Sequence, residues 1–256
     1  MTAALDGVLR HMTDSQLLAE LHKRKKLTKI QVDDGSVELI DYMGDDLSVA
    51  NAARVSFAKH KEVFDKKDEG LIRYLAEHKH MSPFRHVQFS FRLEVSEVLC
   101  RQLYKHQIGC AYTSGEFREA ATVWNEQSGR YIELAEEFHH PEQFRKQSPS
   151  NKQASLENEW IEDQFSAKET YTHALKETYK AYEKLLELGV CKEQARMVLP
   201  VSFMNKLIWT ASLEAVVNFI KLRDHDGAQL EIRKLARAVK TLIEPITPVS
   251  LGALLP

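Results

Sequence analysis

The residues best suited to chemistry lie in two neighbouring segments. Residues 102–107 read Gln-Leu-Tyr-Lys-His-Gln, and residues 124–131 read Trp-Asn-Glu-Gln-Ser-Gly-Arg-Tyr. Together they hold cations, an imidazole, amides, a carboxylate, a hydroxyl and a flexible glycine. An arginine offers a planar fork to phosphate oxygens, and a Ser-Gly pair lets backbone N–H groups approach the same anion. The mixture predicts a site that holds a phosphate, a ribose and a polar ring.

Composition indicates an ordinary globular protein. The chain has 256 residues, of which 43% are hydrophobic and 28% charged, which fits one large domain or one domain with an appendage. No apolar run approaches the length of a membrane span. Asp6, Arg10 and His11 interrupt any apolar core at the N-terminus, so no signal peptide is expected. These features predict a cytoplasmic protein with no membrane partner.

The net charge of −2 offers no electrostatic case for nucleic-acid binding. The basic run at residues 22–26 is interpreted as a solvated helix end rather than as an RNA-binding patch. Any anionic ligand must therefore be met by a local cluster of Arg and Lys.

Cysteine and histidine spacing argues against two common kinds of site. The three cysteines, Cys100, Cys110 and Cys191, are odd in number and lack paired spacing, so neither a disulfide framework nor a zinc ribbon is expected. None of them lies in a context typical of a catalytic nucleophile. The histidines match no closed zinc spacing, so no metal is predicted; they are His78, His80, His86, His139 and His140.

Hydrophobic periodicity predicts a single α+β domain with strands early and helices late. Alternation predicts strands over residues 37–42 and 87–95. Helices are predicted over residues 1–28, 45–58, 71–78, 96–104, 159–189, 194–199, 203–222 and 228–242. The polar stretch 140–158 is predicted to be a surface loop. Residues 1–30 are assigned to an N-terminal helical extension, and residues 31–256 to the main domain.

Six short motifs follow one another in a characteristic order. They are Ala-Ala-Arg-Val-Ser-Phe at 52–57, Ser-Pro-Phe-Arg-His at 82–86, Arg-Gln at 101–102, Asn-Glu-Gln-Ser-Gly-Arg-Tyr at 125–131, a segment ending Arg-Met-Val-Leu-Pro at 196–200, and Asn-Phe-Ile-Lys-Leu-Arg at 218–223. In these motifs the chain resembles the flavin-dependent thymidylate synthase family, from about residue 37 to about residue 243.

The resemblance implies a fold, an activity and a set of ligands. The fold would be a central, mostly antiparallel sheet packed with long helices. The activity would be reductive methylation of dUMP to dTMP, with methylenetetrahydrofolate as carbon donor, FAD as redox cofactor and NADPH as reductant. The assembly would be a homotetramer with shared active sites.

The resemblance also implies roles for individual residues. Arg223 would lie at the pyrimidine and stabilise negative charge developing on the ring. The expected dUMP-binding residues are Gln102, Tyr104, Lys105, Glu126, Gln127, Ser128, Gly129, Arg130 and Arg196. The expected FAD-binding residues are Ser82, Lys105, His106, Gln107, Glu126, Ser212 and Asn218.

Four departures from the family pattern concern mainly the flavin. The family's signature motif commonly opens with Arg-His-Arg, where this chain has Lys105-His106-Gln107, and it ends here with the segment 125–131. Residues 110–123 form an insertion inside this signature motif. Gly227 occupies a position where a histidine is often found. Ser212-Leu213-Glu214 replaces Asn-X-Arg and inverts a charge, so Glu214 is expected to turn away from the diphosphate or to pair with a lysine.

Two other functions fit the same sequence. One is a methylase or hydroxymethylase of another uridine nucleotide such as UMP, and the other is a nucleotide-binding homologue that has lost flavin. Arg223 could instead neutralise helix carbonyls or pair with Asp224 or Asp226. Similarly, Glu126 and Arg130 could form a surface ion pair of little consequence.

Overall fold

The structure, a computed structural model, describes residues 29–106 and 122–255. The predicted N-terminal helix at 1–28, residue Gln107 and most of the insertion at 110–123 lie outside these ranges. The division into an extension at 1–30 and a main domain at 31–256 therefore stays a prediction.

A five-stranded antiparallel sheet forms the centre of the described chain. Its strands are β1 (Lys29–Val32), β2 (Gly35–Met43), β3 (Gln88–Ser96), β4 (Thr122–Glu126) and β7 (Met204–Ser212). They lie side by side in the order β1-β2-β3-β7-β4. A separate hairpin is formed by β5 (Arg145–Gln147) and β6 (Ser155–Trp160). Each sheet strand pairs antiparallel with its neighbours, which confirms the predicted sheet type.

Alternation in β3 and β7 decides which face of the sheet is buried. Phe91 lies opposite Trp209, and Leu93 lies opposite Leu207. All four side chains are almost fully buried, while residues between them point to the other face. This face makes the main core with the helices that follow the sheet.

The helices are α1 (Asp46–Arg54), α2 (Lys66–Glu77), α3 (Glu97–Leu103), α4 (Gln164–Glu187), α5 (Lys192–Ala195), α6 (Leu213–Arg223), α7 (Leu230–Ile243) and α8 (Pro248–Leu254). Short 3-10 turns occupy Val55–Phe57, Ser82–His86 and Arg196–Val198. Helices α6 and α7 supply much of the apolar surface that packs on the sheet. No helix in the described ranges combines the length and apolarity needed to cross a bilayer.

Three predicted elements need correction. The predicted helix at 203–222 is wrong in its first half, which is the buried strand β7, followed by α6. A long apolar run fits a buried strand as well as a buried helix, and periodicity alone cannot separate them. The polar stretch 140–158 contains β5 and the start of β6 rather than only loop. Helix α2 begins earlier than predicted because Asp65 caps it.

A second apolar cluster fixes the segment that follows the signature motif. Leu134 and Phe138 pack with residues of α4, including Tyr182. The Leu134 N–H donates to the Tyr182 hydroxyl at 3.0 Å, and the Tyr179 hydroxyl donates to the Leu134 carbonyl at 3.1 Å. The long helix α4 thereby holds the signature loop beside the sheet edge.

Candidate active site

A polar cavity of about 290 Å³ opens beside β4, β7 and α3. Its charged and amide-bearing lining residues are Glu97, Arg101, Glu126, Gln127, Arg196 and Asn205. The cavity thus opposes guanidinium groups and carboxylates, a donor and acceptor set suited to a ligand with a phosphate and hydroxyls.

Gly129 brings the signature loop against Arg196. A Cβ at this position would lie 2.8 Å from Leu134 Cδ1 and 3.1 Å from Arg196 Cδ, so only glycine lets the loop approach this closely. In the described part of the chain, no carboxylate lies within salt-bridge distance of the Arg196 guanidinium. Its charge is therefore directed to the cavity that it lines.

Two donors hold the Glu126 carboxylate at the end of β4. The Tyr104 hydroxyl donates to Oε2 at 2.6 Å, and Asn205 Nδ2 donates to the same oxygen at 3.2 Å. Burial and this hydrogen bond raise the pKa of Tyr104, so its proton stays on the phenol. Glu126 does not pair with Arg130, which contradicts the surface-pair alternative.

Asn205 is a site residue that the sequence did not single out. Its Oδ1 accepts the Lys206 backbone N–H at 2.8 Å, which turns Nδ2 toward the carboxylates of Glu126 and Glu97. The sequence feature that could have identified Asn205 is an amide side chain at the start of β7, the strand that pairs with β4.

An aromatic stack sets the position of β4 on the sheet. Trp124 lies parallel to Trp209 with ring centroids 5.0 Å apart, and Tyr104 meets Trp124 edge-on at 5.3 Å. The strand register places Trp124 directly opposite Trp209, so the stack is a cross-strand pair. Glu126 consequently emerges at a fixed point above the cavity.

The other predicted nucleotide ligands lie around this cavity or outside it. The Gln127 backbone N–H donates to the Lys206 carbonyl at 2.8 Å, and Ser128 begins the turn that contains Gly129. Arg130 is exposed and pairs with Glu193 at 3.2 Å. Gln102 donates to the Gln229 side chain at 2.8 Å. Arg130 and Gln102 are absent from the cavity lining within the described residues.

Arg223 and His106 form a second group. Arg223 Nε donates to His106 Nε2 at 2.9 Å, and the His106 ring meets Phe219 edge-on at 5.2 Å. Burial and the charge of Arg223 lower the pKa of His106 to about 4, so the imidazole is neutral at pH 7 and accepts this hydrogen bond. Burial lowers the pKa of Arg223 from its ordinary value.

The alternative partners proposed for Arg223 are engaged elsewhere. Asp224 pairs with Arg237, and Asp226 pairs with Arg233. Among residues 29–106 and 122–255, no carboxylate lies within salt-bridge distance of Arg223. Its Nε is used by His106, so its two Nη groups are the ones that can meet a ligand.

Residues predicted to bind flavin divide into accessible and buried ones. Ser82 and Lys105 are exposed, and Asn218 is half-buried on α6. Ser212 is fully buried, and its hydroxyl accepts the Ala215 N–H at 3.2 Å as the N-cap of α6. The described chain therefore gives Ser212 a structural task as a helix cap, and its contact with FAD stays a prediction.

The inverted charge at Glu214 is compensated inside the chain. Glu214 is 5% exposed and forms a two-point ion pair with Arg85, whose Nη2 lies 3.4 Å from Oε1. The predicted lysine partner is thus an arginine from the Ser82–His86 turn. The pair removes the repulsion that an isolated carboxylate would impose on a diphosphate.

Two of the three cysteines lie in the described part of the chain, one buried and one exposed. Burial raises the pKa of Cys100 to about 12, so it cannot act as a thiolate nucleophile. Cys191 is an exposed free thiol, and Cys110 lies outside the described ranges. Within the described residues, no three His, Cys, Asp or Glu side chains cluster as metal ligands would.

The structure therefore places the predicted residues in two groups of one chain. Arg196, Glu126, Gln127 and Gly129 share the cavity, whereas Arg223 and His106 lie outside its lining. The fold is thus an antiparallel α+β domain with a cavity at its sheet edge, whose guanidinium, carboxylate and amide groups are suited to a small polar ligand.

Known proteins resemble this chain over most of its length. The family model described as thymidylate synthase complementing protein matches residues 38–249. A flavin-dependent thymidylate synthase of Thermus thermophilus is 39% identical over 227 residues, 89% of this chain and 78% of that protein. One from Dictyostelium discoideum is 38% identical over 234 residues, 86% of this chain and 71% of that protein.

A solved structure also shares the fold. The UMP/dUMP methylase PolB from Streptomyces cacaoi, bound with 5-Br dUMP, superposes with a TM-score of 0.74 at 30% identity, covering 87% of this chain and 95% of that chain. The chain belongs to the thymidylate synthase complementing protein family, that of the flavin-dependent thymidylate synthases. This confirms the resemblance drawn from its motifs and the predicted α+β fold.

Proposed function

We propose that this protein is an enzyme that methylates dUMP to dTMP. Methylenetetrahydrofolate would donate the carbon, and FAD and NADPH would supply the reducing equivalents. The observation that carries the proposal is the Arg223 guanidinium, held by neutral His106 and unmatched by any carboxylate in the described chain. Family membership and the polar cavity lined by Arg196 support it.

The nucleotide would be bound by groups that the fold already holds in place. Arg196, together with the Ser128 hydroxyl and the Gly129 backbone, is suited to the phosphate. Glu126, fixed by Tyr104 and Asn205, can accept a hydrogen bond from the ribose or the base edge. Gln102, Gln127, Lys105 and Arg130 complete the proposed set.

Arg223 would be the catalytic residue. Methylation requires carbon 5 of the uracil ring to become nucleophilic, which leaves negative charge on the ring nitrogen and carbonyl oxygens. The Arg223 Nη groups can stabilise that charge, and His106 fixes the guanidinium through Nε. No thiolate is required, in agreement with the raised pKa of Cys100.

The residues near α6 fit a flavin. Ser82, Lys105 and Asn218 offer accessible donors, and Arg85 neutralises Glu214. When bound, the flavin supplies the reducing electrons that complete the methyl group. Residues of this chain would bind the diphosphate and the polar ring edge of the flavin. His106 and Glu126 also belong to the proposed flavin-binding residues.

We infer a homotetramer with shared sites. The cavity containing Arg196 and the Arg223–His106 pair do not share one lining among the described residues, and exposed Arg130 is absent from that lining and pairs with Glu193. A neighbouring subunit could bring the two groups together around one nucleotide.

UMP remains a second candidate substrate, favoured by the name of the PolB methylase that this fold resembles. Tritium release from carbon-5-labelled dUMP, compared with labelled UMP, distinguishes the two. Purified protein should also be yellow, or become yellow when FAD is added. A colourless protein that binds dUMP but not FAD would contradict the proposal and favour a homologue that has lost flavin.

A further inference from the structure

The two aspartates that follow Arg223 are each taken by an arginine of α7. Arg237 Nε donates to Asp224 Oδ1 at 2.7 Å, and Arg233 Nη2 donates to Asp226 Oδ1 at 2.9 Å. Arg233 is also held by Glu157 of β6 at 3.0 Å. A segment rich in acid thus lies beside the proposed catalytic cation without pairing with it.

Asp224 follows Arg223 directly in the chain, so its carboxylate is the nearest acid along the sequence that could compete for the Arg223 guanidinium. Arg223 is the last residue of α6 and Asp224 is its C-cap, with ψ of 63°. Helical geometry, which keeps consecutive side chains apart, therefore ends at this point. An unpaired Asp224 carboxylate would attract the Arg223 guanidinium and neutralise the positive charge that would otherwise meet a ligand.

The two arginines differ in ways that fit this division. The hydrogen bond to Asp224 raises the pKa of Arg237, whereas burial lowers the pKa of Arg223. Arg223 carries its charge in a partly buried place, and its bonded neighbour is a neutral imidazole. Arg237 is half-exposed to solvent, so losing its pairing with Asp224 would cost little stability.

We propose that Arg237 is a positioning residue that sequesters Asp224, so that the Arg223 guanidinium stays on His106 and faces the substrate. The inference rests on the proposed role of Arg223.

A rescue experiment tests this proposal against an ordinary structural ion pair. Arg237→Gln releases Asp224 and should lower kcat/KM for dUMP about tenfold. Asp224→Asn alone should leave kcat/KM unchanged, and the double variant Arg237→Gln/Asp224→Asn should recover it. If the pair is merely structural, Asp224→Asn will be as harmful as Arg237→Gln and the double variant will show no recovery, which overturns the proposal.

A matched control removes the same charge without releasing an acid. Lys221→Gln on exposed α6 surface should leave kcat/KM unchanged. If Lys221→Gln lowers kcat/KM as much as Arg237→Gln does, the loss of one positive charge near the site explains both effects, and sequestration of Asp224 is not needed. Thermal unfolding of each variant checks that the fold is intact.

A second readout does not depend on turnover. His106 should titrate near 4 in the unaltered protein, by proton NMR with His106→Gln for assignment. Arg237→Gln should raise that pKa by the part that the Arg223 charge contributes, while the larger lowering by burial stays, and Asp224→Asn added to it should reverse the rise. If the titration behaves so but dUMP is not methylated, the proposed function fails and sequestration stands. If dUMP is methylated but His106 titrates alike in all variants, sequestration fails alone.

Discussion

Two arginines lie at the two ends of helix α6 in opposite electrostatic settings: Arg85, from the Ser82–His86 turn, and Arg223, the last residue of the helix. At the N-terminal end, Arg85 is matched by the buried carboxylate of Glu214. At the C-terminal end, Arg223 donates to neutral His106, and the nearby aspartates are paired with other arginines. The first arginine neutralises an internal charge, whereas the second keeps its charge for something outside the chain. The comparison indicates how a ligand-binding arginine can be recognised: the carboxylates near it are paired with other cations.

The largest expected effect comes from removing the unmatched cation. Arg223→Ala should reduce dUMP turnover by about a thousandfold or more, because the charge developing on the ring loses its stabilising partner. Folding should be unaffected in circular dichroism, since Arg223 makes no ion pair within the described chain. Retained turnover would refute the assigned role, and Arg223→Lys, which keeps the charge, serves as the comparison.

A smaller loss is expected where the cavity depends on close backbone approach. Gly129→Ala places a Cβ 2.8 Å from Leu134 Cδ1 and 3.1 Å from Arg196 Cδ, so the loop or Arg196 must move. We expect about 1–3 kcal/mol of destabilisation and about tenfold weaker dUMP binding by calorimetry.

The matched control for that substitution is Gly70→Ala. Gly70 lies in α2, and a Cβ there meets nothing within 4 Å. This change should raise stability by about 0.5–1 kcal/mol and leave dUMP affinity unaltered. Equal affinities for both alanine variants would show that Gly129 has no special role at the cavity.

At the N-terminal end of α6, substituting Arg85 and substituting Glu214 should lower the unfolding free energy by different amounts. Arg85→Gln leaves the buried Glu214 carboxylate uncompensated and should cost about 2–3 kcal/mol of unfolding free energy. Glu214→Gln leaves the half-exposed Arg85 solvated and should cost about 1 kcal/mol or less. Urea denaturation measures both. Equal costs would mean that burial of Glu214 does not dominate the pair.

The smallest effect concerns pH. Because the folded pKa of His106 is lowered to about 4, its contribution to stability is fully present above its ordinary value and is lost as pH falls toward the folded pKa. Between about pH 7 and about pH 5.5, the stability advantage over His106→Gln should shrink by about 1 kcal/mol. A difference that does not change with pH would contradict a neutral His106.

Sequence patterns predicted the fold class and the local motifs well, and failed where long-range packing decides. Alternation located β2 and β3, but β7 reads as one apolar run with α6, and only pairing with β3 identifies it as a strand. The β5–β6 hairpin exposes polar side chains on short strands, so its sequence resembles a loop.

The candidate site shows the same division. Glu126, Ser128 and Gly129 lie within four consecutive residues and belong to one motif, whereas Arg196 reaches them only through the packing of the Gly129 loop. The Arg85–Glu214 pair joins residues 129 positions apart, which no local pattern indicates.

The most direct test is a crystal structure of the whole protein, in its native assembly, with dUMP and FAD bound. The expected result is a phosphate held by Arg196 beside Gly129, and a uracil ring against the Nη groups of Arg223, next to the flavin. Arg196 and Arg223 opening onto unrelated surfaces of the assembly, with no shared nucleotide, would contradict the proposed site.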